Sequence, residues 1–305
     1  MISVCIPVYN YDIRELVSEL YIQCVNEKIK FEIICIDDYS TNTEIKLINK
    51  QFFLNLKNDY FIYEELSVNK GRSAIRNYFL NFVNYEYCWF LDCDGKVAEN
   101  KNLLTTFLKN LDKNFVVSGA RIYQTEIPEN KLLRLHWTWA SKRELLDPVK
   151  RMKNPVQNFL SNNFIVHKSI LLKIPFNEQL DGYGYEDTFW AAQVVNSGFK
   201  IKHINNPVLH DGLEINVVFL NKIIESIKNL IKLKIICDFQ GINFPVKSNL
   251  TMAANFLNNT IIKHVANFLF KKKINKWKSI LLGEHFNLLI FDLYRLAYYF
   301  ETIKK

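Results

Sequence analysis

Tyr87-Cys88-Trp89-Phe90-Leu91-Asp92-Cys93-Asp94 is an apolar, aromatic-rich run that ends on two carboxylates one residue apart. Without a helical period it reads as a buried strand, and acids at i and i+2 just past a strand end can turn toward one cleft. Outward from it the same shape recurs. Ile2-Ser3-Val4-Cys5-Ile6-Pro7-Val8-Tyr9-Asn10 is a short β-prone run stopped by Pro and Asn, and Phe31-Glu32-Ile33-Ile34-Cys35-Ile36 ends on Asp37-Asp38. Between them Ile13, Leu16, Val17, Leu20 and Cys24 recur at helical spacing. The pattern predicts further strands around Tyr60 to Glu64, at Phe115 to Ala120, at Asn162 to Val166 and at the end of Asn206 to His210. It also predicts helices from about Gly71 to Phe82 and at Lys168 to Leu172, and a charged surface loop or helix over Lys142 to Asn158. This alternation is the mark of an α/β fold, a mostly parallel sheet covered by helices on both faces. Ligands of such sheets bind at the carboxyl ends of the strands, where Tyr9-Asn10, Asp37-Asp38 and Asp92 to Asp94 all fall.

Composition excludes several classes. The chain has 305 residues, 49% hydrophobic and 23% charged, far from the corner where chains stay disordered. Six cysteines without C-x-x-C spacing read as reduced thiols, three of them small hydrophobes inside strand-like runs. No basic n-region precedes a long apolar h-region, and no stretch reaches the ~18 apolar residues of a spanning helix; a cytoplasmic location is expected. Residues 1–215 carry 25 Lys and Arg against 26 Asp and Glu, whereas residues 216–305 carry 14 against 5. The positive excess therefore sits in a tail whose texture turns to helical patterns of Ile, Leu, Phe and Lys, broken near Gly241 to Ser248. Such a tail suits an acidic surface. Its lysines are interleaved with apolar residues as in an interfacial helix, which points to anionic lipid rather than nucleic acid. Lys271, Lys272 and Lys273, with Phe268, Phe270 and Trp277 as aromatic anchors, are the expected contact. The alternative is that Leu288, Leu289, Phe291, Leu293, Leu296 and Phe300 pack as helix core and the lysines are solvated.

Each candidate site has a bland reading beside the functional one. Asp92 and Asp94 can share Mg²⁺ or Mn²⁺ through hard oxygens, or form a solvated turn. Asp37-Asp38 can meet a base or ribose, or cap the following loop. Gly182-Tyr183-Gly184-Tyr185-Glu186-Asp187-Thr188 pairs a bent backbone with acids that can start a helix; a helix-terminal charge pair is the alternative. His210 is a ligand or a structural histidine. Trp137, Trp139, Tyr183, Tyr185 and Trp190 can stack on sugar faces or, for Trp190 above all, fill core.

The order of Pro7-Val8-Tyr9-Asn10, Ile36-Asp37-Asp38-Tyr39-Ser40, Asn69-Lys70-Gly71-Arg72-Ser73-Ala74-Ile75-Arg76-Asn77 and Phe90-Leu91-Asp92-Cys93-Asp94 resembles the nucleotide-sugar half of family 2 glycosyltransferases with the GT-A fold. Gly182 to Thr188, followed by His210, is similar to the Gly-aromatic-Gly-x-Glu-Asp acceptor motif and metal-ligand His of a subset of these enzymes and of galactosyltransferase-type relatives. The resemblance covers residues 1–215, the expected catalytic domain, and leaves 216–305 as a basic helical appendage.

It implies an inverting, metal-dependent transferase. Such an enzyme moves a hexosyl or N-acetylhexosaminyl group from a UDP-sugar to a hydroxyl of a glycan or glycolipid in bacterial surface polysaccharide assembly. Asp38 would contact the pyrimidine, with Pro7, Tyr9, Asn10 and Asp12 around the nucleoside. Arg76 would line the base or diphosphate pocket. Asp92 and Asp94 would hold ribose and metal (Mn²⁺ or Mg²⁺), and His210 would complete the ion's coordination. Asp187 would be the catalytic base and Glu186 a partner of the acceptor. The pattern departs where Tyr39 replaces a common Gly, Asn42 a frequent acid and Ile75 a usual Ala. Two other classes compete. A receiver-like signalling domain would need only about 120 residues and no Gly182 to His210 segment. An inactive nucleotide-sugar-binding or membrane-assembly scaffold would not need Asp92, Asp94, Asp187 and His210 intact.

Overall fold

The computed structural model describes residues 1–56, 58–98, 102–258 and 262–303, the side chains of 258 and 262–268 excepted. Its strands are β1 (Ile2–Val8), β2 (Phe31–Asp37), β3 (Phe61–Glu65), β4 (Tyr87–Leu91), β5 (Gly95–Lys96), β6 (Phe115–Ser118), β7 (Arg121–Ile122), β8 (Asn163–His167), β9 (Lys200–His203) and β10 (Val208–His210). The helices are α1 (Arg14–Asn26), α2 (Thr43–Leu56), α3 (Gly71–Tyr78), α4 (Leu103–Leu108), α5 (Arg134–Arg143), α6 (Pro148–Lys153), α7 (Lys168–Lys173) and α8 (Glu186–Asn196). Four more follow: α9 (Asn216–Gln240), α10 (Asn249–Asn258), α11 (Ile262–Leu282) and α12 (Leu288–Ile303).

Contacts divide the chain into two compact units. The first comprises Met1–Tyr123, Leu146–Asp181 and Glu186–Gly212, and the second Gln124–Leu145, Gly182–Tyr185 and Leu213–Lys305. A single cut after residue 215 does not describe this division, because two segments N-terminal to it join the C-terminal helices. The reason is side-chain chemistry on α5. The Leu135 N–H donates to Asn216 Oδ1 at 3.2 Å. The His136 ring stacks on Phe219 at 4.4 Å, and the Arg143 guanidinium grips both oxygens of Asp292 at 2.6 and 2.7 Å, the two-pronged geometry that makes such pairs strong.

In the first unit a seven-stranded sheet runs β3-β2-β1-β4-β8-β6-β9, parallel except where β8 pairs with β4 and β6. Both faces are covered, which is why β1 and β2 read as continuous apolar runs. On one face Val4, Ile6, Ile33 and Trp89 pack under Leu16, Val17 and Leu20 of α1. On the other, Cys5, Ile34 and Phe90 pack under Ile75 of α3 and Trp190 of α8. Trp190 is core: its ring lies 4.6 Å from Phe176 and its indole N–H donates to the Ile174 carbonyl at 2.8 Å.

A small second sheet runs β5-β10-β7. Its antiparallel register sets His210 opposite Gly95, the residue after Asp94. Strands of two or three residues carry no readable period, so this pairing was invisible in the pattern of residues.

The second unit's α9 buries Phe219, Ile223, Ile227, Leu230 and Leu233. It ends on Gly241 at φ 65, the left-handed C-cap that glycine favours. In α12 Phe291, Leu296 and Phe300 are buried as core, while Leu289 is exposed. Among the described residues no helix is long and apolar enough to cross a membrane.

Candidate functional site

The loop after β1 and the loop after β2 are tied together by Asn10. Its Oδ1 accepts from the Thr41 and Asn42 N–H groups, each at 2.8 Å, and its own N–H donates to Ser40 Oγ at 2.8 Å. Asn42, which stands in place of an acid, accepts from the Ile45 N–H at 3.1 Å at the start of α2. Tyr39, which stands in place of a glycine, has φ 65, the left-handed region that explains why glycine suits the position. Tyr9 is exposed beside this junction. Asp12 is gripped by Arg14 at 2.7 Å and lines a cleft of about 820 Å³ with Asn10, Tyr11, Cys93 and Lys96.

Asp38 is buried and fully engaged: Oδ1 accepts from the Lys70 N–H at 2.6 Å and Oδ2 from the Gly71 N–H at 3.0 Å. Burial pushes its carboxyl up, against the pull of those two bonds. It therefore performs the loop-capping role, and any base contact uses its remaining lone pairs. Asp37 likewise accepts from the Ser40 N–H at 2.6 Å.

Arg76, on α3, is 2% exposed and donates to Asp92 Oδ1 at 2.9 Å and to the Arg72 carbonyl at 2.9 Å. The Asp92 N–H is anchored on the Asn162 carbonyl. Ser73 Oγ, Arg76 Nε, Asn162 Oδ1 and Glu186 Oε2 are buried and lack a partner among the described residues.

Asp94 pairs with His210, Oδ1 to Nδ1 at 3.3 Å. Burial alone would raise the Asp94 carboxyl; the His210 hydrogen bond and charge, with Arg121 and Arg72, hold it down at about 2. The structure thus brings together two of the three expected metal ligands and holds the third, Asp92, on Arg76. Among the described residues no group of three or more His, Cys, Asp or Glu side chains is arranged to hold a metal. The Asp94–His210 pair nevertheless fits a divalent ion in donor chemistry, an ionised hard oxygen beside an imidazole, and in shape. Gly212 lies against it so closely that a Cβ there would come within 2.3 Å of Asp94 Oδ2 and 3.0 Å of His210 Cε1. Gly212→Ala should therefore push the pair apart and weaken Mn²⁺ binding by roughly 10-fold or more, as losses around metal ligands do; titration calorimetry of the purified protein checks it.

Asp187 sits in the first turn of α8, with Oδ1 accepting from the Thr188 N–H at 2.7 Å. Burial, then the neighbouring Glu186 charge, push its carboxyl up to about 7, against the pull of Thr188, Arg76 and Arg72. Glu186 is buried and its Oε1 lies 3.5 Å from Arg72. In the second unit Gly182 and Gly184 have φ 75 and 97, and the close approach at Gly184 is by α9: a Cβ would meet Ser226 Cβ at 2.8 Å. The Tyr183 ring carries the Lys222 ammonium at 5.5 Å, and the Trp139 ring packs on Phe219 at 5.5 Å.

Three contributors escaped the sequence patterns. Arg72 acts on Asp94 and Asp187 alike; its place beside Gly71 at a helix start was the available signal. Gly212 was detectable only as a glycine two residues past His210. Arg151 was expected at the surface. It is buried instead and donates to the Ile204 carbonyl at 2.7 Å, bracing the loop that leads into β10.

A seven-stranded, mostly parallel sheet covered by helices is the GT-A glycosyltransferase fold. A mannosyltransferase from Pyrobaculum calidifontis, solved with GDP-Man and Mn²⁺, shares the fold at a TM-score of 0.54 and 13% identity, over 99% of this chain and 86% of its own. Residues 3–174, more than half of the chain, match the model of Glycosyl transferase family 2, and the chain belongs to that family. A poly(ribitol-phosphate) beta-glucosyltransferase from Bacillus spizizenii is 36% identical over 101 residues, 32% of this chain and 15% of its own length. An uncharacterized glycosyltransferase from Haemophilus influenzae is 31% identical over 102 residues, 33% of this chain and 39% of its own. The chain thus matches less than half the length of these curated relatives.

Proposed function

We propose that the chain is an inverting, metal-dependent glycosyltransferase. It moves a hexosyl or N-acetylhexosaminyl group from a nucleotide-sugar, UDP being the expected carrier, to a hydroxyl of a glycan or glycolipid in bacterial surface polysaccharide assembly at the cytoplasmic side of the membrane. The observation that carries this reading is Arg72, whose guanidinium lies 3.5 Å from Glu186, the neighbour of Asp187, and whose charge favours the ionised forms of Asp187 and Asp94 in the same compact unit. On this reading the base and the diphosphate end share one site.

Asp187 accepts the proton of the attacking hydroxyl. Its Oδ1 is oriented by Thr188, which leaves Oδ2 for that proton. Glu186, held by Arg72, receives a hydroxyl of the acceptor through its unpartnered Oε2. Arg76 fixes Asp92 for the ribose, while Pro7, Tyr9 and Asn10 flank the nucleoside with Asp38. One base and direct displacement invert the anomeric centre. Asp94 and His210 would hold Mn²⁺ or Mg²⁺, with Asp92 two residues before Asp94 on the chain; a bound ion would supply Lewis-acid charge to the departing diphosphate. Exhaustive chelation should abolish turnover and either ion should restore it. Full activity after chelation would remove the metal from the account.

A further inference from the structure

Two of the aromatic anchors expected in the tail, Phe270 and Trp277, pack against other rings. Trp277 is buried and Phe270 packs against it, with ring centroids 5.8 Å apart and a further contact to Phe300 at 6.4 Å; Phe268 lies outside the described side chains. The two most exposed aromatic rings of the second unit among the described residues lie on other helices. On α9, Ile235 and Phe239 are 64% and 91% exposed, and on α10, Met252 and Phe256 are 60% and 74% exposed. Lys228, Lys232, Ile235 and Phe239 follow one another at steps of four, three and four residues, one stripe of the helix. It lies opposite the buried Ile227, Leu230, Leu233 and Cys237. Met252 and Phe256 are likewise four apart on α10.

We propose that these two stripes are the membrane contact of the chain: Phe239 and Ile235, with Phe256 and Met252, enter the headgroup region of an anionic bilayer while Lys228 and Lys232 meet lipid phosphate. Charge selects this occupant over a protein. The cores of protein interfaces are depleted of lysine, whereas interfacial helices set Lys beside Phe and Leu. Here lysines share the stripe with the apolar groups. Residues 228–256 hold four lysines and one acid, Asp238, which pairs with Lys234 at 3.7 Å. The exposed Lys271, Lys272 and Lys273 of α11 add long-range attraction without an aromatic of their own. The inference stands apart from the transfer chemistry, and its test needs neither donor nor acceptor.

The full chain is sedimented with vesicles of phosphatidylcholine alone or with a third phosphatidylglycerol, at low and high salt. Binding should require the anionic lipid and weaken with salt. Phe239→Ser with Phe256→Ser should lower it roughly 10-fold or more, since buried aromatic area is what such helices lose. The helical circular dichroism and the melting temperature should stay unchanged, because both residues are exposed. Lys271, Lys272 and Lys273 changed together to Glu should weaken binding less than the paired Phe change does at high salt, where the field is screened. Failure to bind anionic vesicles at low salt, equal binding to neutral ones, or wild-type binding by the Phe variant overturns the proposal. So does a dimer, seen by light scattering, that the Phe changes dissolve in a protein that ignores vesicles; the stripes would then meet a second copy.

Discussion

Asp187→Asn should lower turnover on the order of 10²-fold or more while nucleotide binding is retained. Asparagine keeps the size of the side chain and its bond from the Thr188 N–H, and loses only the ability to take a proton. Because burial and Glu186 set the carboxyl at about 7, wild-type turnover should rise as pH increases through about 7 and level off above it, and the variant's residual rate should lack that limb. Stability should move the opposite way. A carboxyl whose folded pKa lies above its unfolded value of about 3.9 favours the protonated form in the fold, so its cost appears as pH rises from about 4 to about 7 and is constant beyond. Urea unfolding should find Asp187→Asn more stable than wild type at pH 8, with the difference gone near pH 4. Wild-type turnover in the variant, or loss of nucleotide binding instead, would move the base elsewhere.

Asp94→Ala should cost roughly 10²- to 10³-fold in turnover, the several kcal/mol that a bound cation contributes to charge stabilisation, and should abolish the response to added Mn²⁺. Its pH signature differs from that of Asp187. Asp94 is held at about 2, below its unfolded value. Its stabilising contribution is therefore complete above about pH 4 and is lost only as pH falls toward 2. Asp94 therefore contributes no activity limb near neutrality. A variant that keeps its Mn²⁺ response would detach the ion from the Asp94–His210 pair.

Much of the first unit was legible because its signals are local. The runs at β1, β2 and β4 stop on the turn and acidic residues that the sheet presents at its carboxyl edge, and α1 follows its apolar spacing within two residues. Asp94 lies beside His210, and Glu186-Asp187 open α8. What was not legible depends on contacts distant in sequence. The His210 opposition to Gly95 arises from strands too short to show a period. Asp38 has both oxygens committed to Lys70 and Gly71, which no spacing reveals. The grouping of α5 with α9 rests on His136, Asn216 and Asp292, single side chains whose partners lie far along the chain. Beside the lysine run at 271–273, Phe270 and Trp277 pack on other rings, while the protruding Phe239 and Phe256 look like core positions in the sequence.

The central claim is that this family 2 chain transfers sugar from a nucleotide donor by way of Asp187. Release of free nucleotide from a panel of UDP- and GDP-sugars, measured on the purified chain with Mn²⁺ in the presence and absence of a hydroxyl-bearing glycan acceptor, tests it most directly. Saturable UDP release from at least one UDP-sugar is expected, dependent on acceptor and absent in Asp187→Asn. Nucleotide binding without turnover of any donor by the wild-type chain, or turnover unchanged in Asp187→Asn, would contradict it.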